Sequence, residues 1–315
     1  MRIRATVAAV SGALALSALA VPVAQADGSA ASAYRADIAK VKEAAHSATS
    51  GKSAFSTAAD EEPMPYKLNA SFSNFKIAKT VKLGTTGQVS VPVSFTLTHG
   101  TEVDITADDF FVDAYIYRGS FTTEETESES ELFGEDFSTC TATSATVATC
   151  KGDIDIYLGE DVEILNSQAG TWRAAANAVA INGQASTGGD LDITKIGFVE
   201  KGGLATTLLQ RASRLTVNAT PEPVKKGKTI TVTGKLTRAN WDALNYGGYA
   251  AQPVKLQFRK NGASTYTTVK TIKTTTKGDL KTTVKATADG FFRYVFAGTT
   301  TTSPVSSATD FIDVK

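Results

Sequence analysis

The chain has 315 residues, with 32 basic and 32 acidic side chains and therefore a formal net charge of zero. This length suits two domains. The two His are not arranged as H-E-x-x-H, no G-x-S-x-G elbow occurs, and only two Cys are present. The common hydrolase and metalloprotease signatures are therefore excluded, and we expect a protein that is not an enzyme.

The N-terminus has the three parts of a secretory signal peptide. Arg2 and Arg4 form a basic region, residues 7–21 are apolar or small, and Ala24-Gln25-Ala26 is an A-x-A cleavage signal. The apolar run is too short to span a membrane stably. We therefore predict cleavage after Ala26 and an extracellular location.

Residues 27–65 are rich in Ala and Ser. The stretch AYRADIAKVKEAAHSA has a thin apolar stripe of Tyr34, Ile38 and Val41. It predicts a flexible or marginally helical leader. The alternative is a helix that docks on a partner.

From residue 66 to residue 208 the hydrophobic period becomes that of strands. In GQVSVPVSFTLT, for example, Val89, Val91 and Val93 alternate with polar or small residues. Short strands follow one another without helices between them, which favours a β-sandwich. This segment is the predicted acidic N-terminal domain.

The two cysteines, Cys140 and Cys150, lie in CTATSATVATC. In an exported chain such an isolated pair predicts one disulfide. The two positions are symmetric about Ala145, so a hairpin turning there places them opposite each other, within bonding range.

Residues 209–315 contain seven strand-like runs separated by turn signals such as Asn261-Gly262. We count 13 basic against 26 acidic residues over 27–210, a net of −13, and 17 against 6 over 211–315, a net of +11. The predicted fold is all-β, with two tandem Ig-like sandwiches after the leader. The charge split indicates oppositely biased surfaces, or modules that attract each other or different partners.

The segments LQRASRLTVNATPEPVKKGKTITVTGKLTRANW and GFFRYVFAGTTTTSP resemble those of actinobacterial secreted two-domain proteins with a C-terminal bacterial Ig-like domain. CTATSATVATCKG in the first half is similar to their variable first domain. The resemblance implies secretion and Ig-like sandwiches. Some relatives carry the label of calcium-binding protein, although this sequence has no EF-hand loop and no Gly-rich nonapeptide repeat.

Acidic side chains of the first domain are the candidate calcium ligands, because calcium prefers carboxylate oxygens. Loops at one end of a sandwich can bring such groups together, although Asp alternating along a strand also marks a solvated face. The candidates are Asp104, Asp108, Asp109, Asp113, Asp153 and Asp155.

The segment RANWDALNYGGYAAQ places Trp241, Tyr246 and Tyr249 between two predicted strands of the second domain. Amphipathic aromatics on such a loop can bind glycan or peptide. The alternative is a loop that folds back and plugs the end of the core.

These patterns predict a secreted, non-enzymatic structural or binding module without a cofactor, and the alternative function is extracellular calcium binding. An enzyme using first-domain carboxylates is the third hypothesis. Expected partners are a protein, or a cell-surface or cell-wall polymer. Nucleic acid is not expected, because the Lys residues of the second domain alternate along strands and do not form one cluster.

Overall fold

The computed structural model describes residues 28–50, 63–121, 130–159, 164–184 and 191–315, with the side chains of the first segment described over 34–46. The predicted signal peptide, residues 1–26, lies outside the described residues. Within the described part, no helix is long and apolar enough to cross a membrane.

The first domain is a sandwich of two sheets, as the sequence predicts. The strands are β1 (Tyr66–Lys67), β2 (Ala70–Lys76), β3 (Thr80–Leu83), β4 (Gly87–His99), β5 (Phe110–Arg118), β6 (Ser130–Phe133), β7 (Thr139–Ser144), β8 (Val147–Leu158), β9 (Gly170–Ala180) and β10 (Gly197–Arg211). Six of them form one sheet in the order β1-β10-β9-β5-β6, with β3 also paired to β10, and four form the other in the order β2-β4-β8-β7.

The core of this domain lies between its two sheets. It buries Phe95 and Leu97 from β4, Ile154 from β8 and Trp172 from β9. The Trp172 indole donates a hydrogen bond to the carbonyl oxygen of Gln168 at 2.9 Å, in the short 3₁₀ helix Asn166–Gln168. A second such helix covers Ile193–Lys195.

A helix covers the outer face of the six-stranded sheet. This helix, α1 (Gly28–Ser50), packs Ile38 and Val41 against Phe111 and Val179 of that sheet. The expected leader is therefore partly a structural element of the first domain, because its apolar stripe meets an apolar sheet face.

The predicted disulfide is confirmed. Cys140 on β7 faces Cys150 on β8 across an antiparallel hairpin, and the two sulfurs are bonded. The symmetry about Ala145 located the hairpin correctly, and a bulge between Ala142 and Ser144 adjusts its register.

The second domain is also a two-sheet β-sandwich. The strands are β11 (Ser213–Leu215), β12 (Asn218–Thr220), β13 (Thr229–Asn240), β14 (Asn245–Gly248), β15 (Pro253–Lys260), β16 (Thr267–Lys273), β17 (Asp279–Lys285), β18 (Gly290–Phe296), β19 (Val305–Ser306) and β20 (Asp310–Ile312). One sheet has the order β11-β13-β12, with β14 and β17 also paired to β13, and the other has the order β16-β15-β18-β19, with β20 paired to β18.

Only one residue separates the two domains. Strand β10 ends at Arg211 and β11 begins at Ser213, with Ala212 between them. Strand β10 therefore continues three residues past residue 208, the predicted end of the first domain. Arg211 donates from Nε to the carbonyl oxygen of Ala239 at 2.5 Å, so side chains as well as the backbone connect the domains.

Candidate functional site

An open groove of about 840 Å³ lies on the outer face of the four-stranded sheet. The strands β4 and β8 form its floor, and the segment 135–139 forms one wall. We call this surface the outer groove. Its lining includes Ser90, Pro92, Glu135, Asp136, Phe137 and Asp153.

The period of two along β4 and β8 explains why polar groups line this groove. Val91 and Val93 of β4 point into the core, and Ser90 and Pro92, which alternate with them along the strand, therefore point outward. On β8, Ile154 is buried in the core while Asp153 is exposed on the opposite face. The groove is thus the wet face that the sequence predicts for these strands.

Asp155 holds one wall of the groove in place. Its carboxylate accepts hydrogen bonds from Gln88 at 3.1 Å, from the Ser90 hydroxyl and from the backbone N–H of Glu135 at 2.9 Å. Both carboxylate oxygens are therefore occupied. This arrangement suits a structural role for Asp155, which ties the backbone at Glu135 to β4 and β8.

The exposed charges of the groove are mainly acidic. Glu135, Asp136 and Asp153 are exposed, while Lys76 and Lys151 supply the basic side chains of its lining. Because carboxylates outnumber ammonium groups by three to two among these exposed charges, the groove favours a ligand with cationic groups. Salt screens such surface charges strongly.

The six candidate calcium ligands lie on different parts of the first domain. Asp104 accepts hydrogen bonds from the backbone and hydroxyl of Thr106, and Asp109 accepts one from the backbone N–H of Gly183 at 2.6 Å. Asp108, in the same loop, is exposed. The other three lie elsewhere: Asp113 beneath α1, and Asp153 and Asp155 on β8.

Among the residues that the structure describes, no group of three or more His, Cys, Asp or Glu side chains is placed to hold a metal ion. Calcium binding therefore stays a prediction, and the described geometry gives it no support. The hydrogen bonds to Thr106 explain why the pKa of Asp104 lies below its usual range.

Asp113 belongs to the contact between α1 and the six-stranded sheet. Arg35 of the helix donates to its carboxylate at 2.7 Å and to the carbonyl oxygen of Gly134 at 2.9 Å. Complete burial raises the pKa of Asp113 to about 6, although the Arg35 charge acts in the opposite direction. This aspartate holds the helix.

Glu200 of β10 is the second anchor of α1, and sequence reasoning missed it. Its carboxylate lies 3.2 Å from Lys42 and 2.9 Å from His46, and it also accepts from the hydroxyl of Tyr115. Burial raises its pKa, but the bond to His46 and the charge of Lys42 prevail and leave it lowered. Lys42 also pairs with Glu131 at 2.7 Å.

The register of the sheet shows why these anchors cooperate. Asp113 on β5 pairs with Asn177 on β9, which in turn pairs with Glu200 on β10. The three polar residues thus form one row beneath the helix. Arg35 and Lys42 of α1 pair with the two carboxylates of this row. The sequence alone does not reveal this charge complementarity, because it depends on how the strands pair.

Trp241 lies at the joint between the domains. It is 1% exposed and belongs to the hydrophobic core of the first domain, although it follows β13 of the second domain. Its backbone N–H donates to the side-chain oxygen of Asn166 at 2.9 Å, and Asn166 donates from its own N–H to Asp242 at 2.9 Å. The indole is thus placed for packing and not for surface binding.

The other aromatic residues of the loop also pack. Tyr246 contacts the core of the first domain and has the Arg214 guanidinium 3.5 Å from its ring centroid. Tyr249 packs on the core of the second domain, edge-on to Phe296. The loop does plug a core, as the fold-back interpretation expects, but Trp241 enters the core of the neighbouring domain.

Comparisons with known proteins give a likeness of fold only. No protein-family model matches the sequence, and no curated protein matches it. A solved structure of the Yersinia pseudotuberculosis adhesin InvE is 11% identical, covers 78% of this chain and 60% of its own, and has a TM-score of 0.24. The four N-terminal Ig domains of Dscam1 isoform 8.4 are 9% identical over 79% of this chain and 47% of theirs, with a TM-score of 0.25.

The chain thus spans less than two thirds of both of these structures. At such TM-scores the likenesses carry no argument about function. The all-β, Ig-like sandwich architecture is shown by the two pairs of sheets described above.

Proposed function

We propose that the protein is a secreted, non-enzymatic binding module that holds its partner in the outer groove of the first domain. The observation that carries the proposal is the groove itself, an open cavity of about 840 Å³ that is lined by acidic and small polar side chains. Its one buried carboxylate, Asp155, has both oxygens in structural hydrogen bonds.

The joint between the domains supports a binding role. Trp241 of the second domain is buried in the core of the first, and one residue links β10 to β11. A fixed joint loses little conformational entropy when a partner binds to either domain. The expected partner is a protein, or a cell-surface or cell-wall polymer, and the groove favours cationic groups on it.

The disulfide supports an extracellular site of action. Cys140 and Cys150 are bonded, and such bonds persist mainly in oxidising compartments. The predicted signal peptide points in the same direction.

A binding assay with charge-reversed variants tests this function. The labelled protein is incubated with intact cells that secrete it and with their isolated walls, and the bound fraction is measured. We expect Asp136→Lys and Asp153→Lys to lower binding about tenfold, as the loss of one charged contact does. Asp108→Lys, a matched reversal on an exposed loop of the same domain, should leave binding unchanged.

Two outcomes contradict the proposal. Equal binding by the groove variants and by Asp108→Lys would remove the groove as the site. Turnover of any compound in a substrate panel that disappears with Asp136→Lys would favour an enzyme.

A further inference from the structure

The second domain has an unusual surface on the outer face of its β16-β15-β18 sheet. Phe311 pairs with Phe291 across β20 and β18, and Phe291 pairs with Arg259 across β18 and β15. These residues alternate with the buried Phe292 and Ile312, so they point away from the core. We call Arg259, Tyr266, Phe291, Arg293 and Phe311 the arginine ladder.

Each guanidinium of the ladder is stacked on aromatic rings. The Arg259 guanidinium lies 4.3 Å from the Phe291 ring centroid and 5.3 Å from that of Tyr266. The Arg293 guanidinium lies 3.8 Å from the ring centroid of the same Tyr266. Phe291 and Phe311 continue the stack with centroids 5.1 Å apart. The stacking fixes both cations before any ligand arrives.

Neither arginine has an acidic partner among the described residues. Arg259 donates to the carbonyl oxygen of Ala263 at 2.8 Å, and Arg293 donates from Nε to Gln257 at 2.9 Å. A guanidinium has five N–H donors, so each retains donors for a ligand. The carboxylate of Asp313, two residues after Phe311, lies 3.8 Å from the ammonium of Lys315.

Stacking alone explains this arrangement poorly. An exposed cation–π contact stabilises a fold by only about 0.5–1 kcal/mol, and here two cations flank the same Tyr266 ring and repel each other. The whole domain carries 17 basic and 6 acidic residues over 211–315. An anion bound at the ladder relieves this repulsion and meets guanidinium groups whose entropy is already reduced.

The apolar part of the ladder narrows the class of ligand. Phe311 is 37% exposed, and its ring lies against Phe291, on which the Arg259 guanidinium stacks. Apolar area beside fixed cations suits a ligand that has both C–H faces and acidic groups. A polysaccharide with a carboxylate on its repeating sugar has this chemistry, because each ring offers an apolar face and an anion.

We propose that the arginine ladder is a second binding site, which takes a carboxylate-bearing polysaccharide. It lies in the second domain and does not depend on the outer groove. Only the choice of a polymer as the ligand rests on the proposed extracellular function.

The probe for this site is polygalacturonate, with fully methyl-esterified polygalacturonate as its uncharged counterpart and polyphosphate as a polyanion without sugar rings. Titration calorimetry uses the two-domain protein with α1. We expect binding of polygalacturonate, none of the methyl ester and weaker binding of polyphosphate. Arg293→Gln should lower the affinity about tenfold, which corresponds to one charge-assisted contact.

A matched variant separates the ladder from general charge. Lys285→Gln removes the same charge from an exposed position on β17, in the other sheet. It should change the affinity by less than about twofold, as for a screened surface charge. Arg293→Lys keeps the charge but loses the planar fork, and it should weaken binding like Arg293→Gln. The melting temperature of each variant verifies folding.

Several results would overturn the proposal. Equal losses of affinity for Arg293→Gln and Lys285→Gln would show that the attraction is non-specific. Polyphosphate binding as tightly as polygalacturonate would show that the site does not recognise sugar rings. Self-association of the protein alone that Arg293→Gln abolishes would assign the ladder to a contact between copies. Asp136→Lys should leave polygalacturonate binding intact, so failure of the outer groove and failure of the ladder remain distinguishable.

Discussion

The two sandwiches differ in what covers their sheets. In the first domain the six-stranded sheet is buried on both faces, by the core on one side and by α1 on the other, so that β9 is buried at almost every position. In the second domain β18 alternates regularly between buried and half-buried residues, because its outer face meets solvent. Similar strands thus carry different hydrophobic patterns.

This difference affects where each domain can fail. The second domain buries its own aromatic residues, such as Tyr294 and Phe296, within its own core. The first domain depends on elements from outside its sandwich: α1 above one sheet and Trp241 at one end. Changes in these outer elements should therefore destabilise the first domain more than their positions in the sequence suggest.

The largest expected effect is that of Trp241→Ala. Removing this fully buried indole should lower the free energy of unfolding of the first domain by about 3–5 kcal/mol, although residue 241 belongs to the second domain. Urea denaturation followed by fluorescence measures it directly, because the one remaining tryptophan, Trp172, lies in the same core.

Phe296→Ala is the matched control, since it opens a cavity in the core of the second domain. It should affect the Trp172 transition much less than Trp241→Ala does. The reverse order would show that Trp241 contributes little to the stability of the first domain.

Loss of the disulfide comes next. Replacing Cys140 and Cys150 together by Ala should cost about 2–3 kcal/mol, because a closed loop of this length restricts the unfolded chain. The effect should be confined to the first domain. Reduction of the wild-type protein with dithiothreitol should reproduce the shift in the urea midpoint, and an unchanged midpoint on reduction would contradict the entropic explanation.

Much of the fold could be predicted from the sequence, because a period of two is visible wherever one sheet face is wet. Both sandwiches and the Cys140–Cys150 hairpin follow from such local patterns. The position of α1 could not be predicted, since its thin apolar stripe is sufficient only when Asp113 and Glu200 add charged contacts from strands distant in sequence.

The sites were harder to predict for a related reason. A residue type indicates what a side chain can do, but only the sheet register shows where it points. The register places Asp155 under a wall of the outer groove and Asp113 beneath α1. It also assembles the arginine ladder from three strands and one loop, and no local motif indicates that surface.

The pH dependence of α1 docking is the third test of the difference between the two domains. The pKa of Asp113 is raised to about 6 by burial, so its contribution favours the folded state at low pH and is lost as pH rises from about 4 through 6. Asp113→Asn should remove this dependence, which amounts to about 1–3 kcal/mol. Urea denaturation between pH 4 and pH 8 measures it.

Glu200 contributes with the opposite sign, because its pKa is lowered and its stabilisation is lost as pH falls. The difference between the wild-type and Asp113→Asn curves cancels the Glu200 contribution. A difference that does not change with pH would refute the assignment to Asp113. Asp310→Asn in the second domain is the control and should leave this pH profile unchanged in shape.

The smallest expected effect is that of calcium. Its candidate ligands are divided among a loop, the α1 contact and β8, and no metal-holding group exists among the described residues. We therefore expect 5 mM Ca²⁺ to leave the melting temperature of the first domain unchanged relative to EDTA.

A ligand present at ten times its dissociation constant would add about 1.4 kcal/mol to the free energy of unfolding, a shift that calorimetry detects readily. A rise of that size, abolished by Asp104→Asn or Asp109→Asn but not by Asp153→Asn, would place a site in the 104–109 loop, where carboxylates are closest in sequence. It would also mean that the first domain depends on a third external element besides α1 and Trp241.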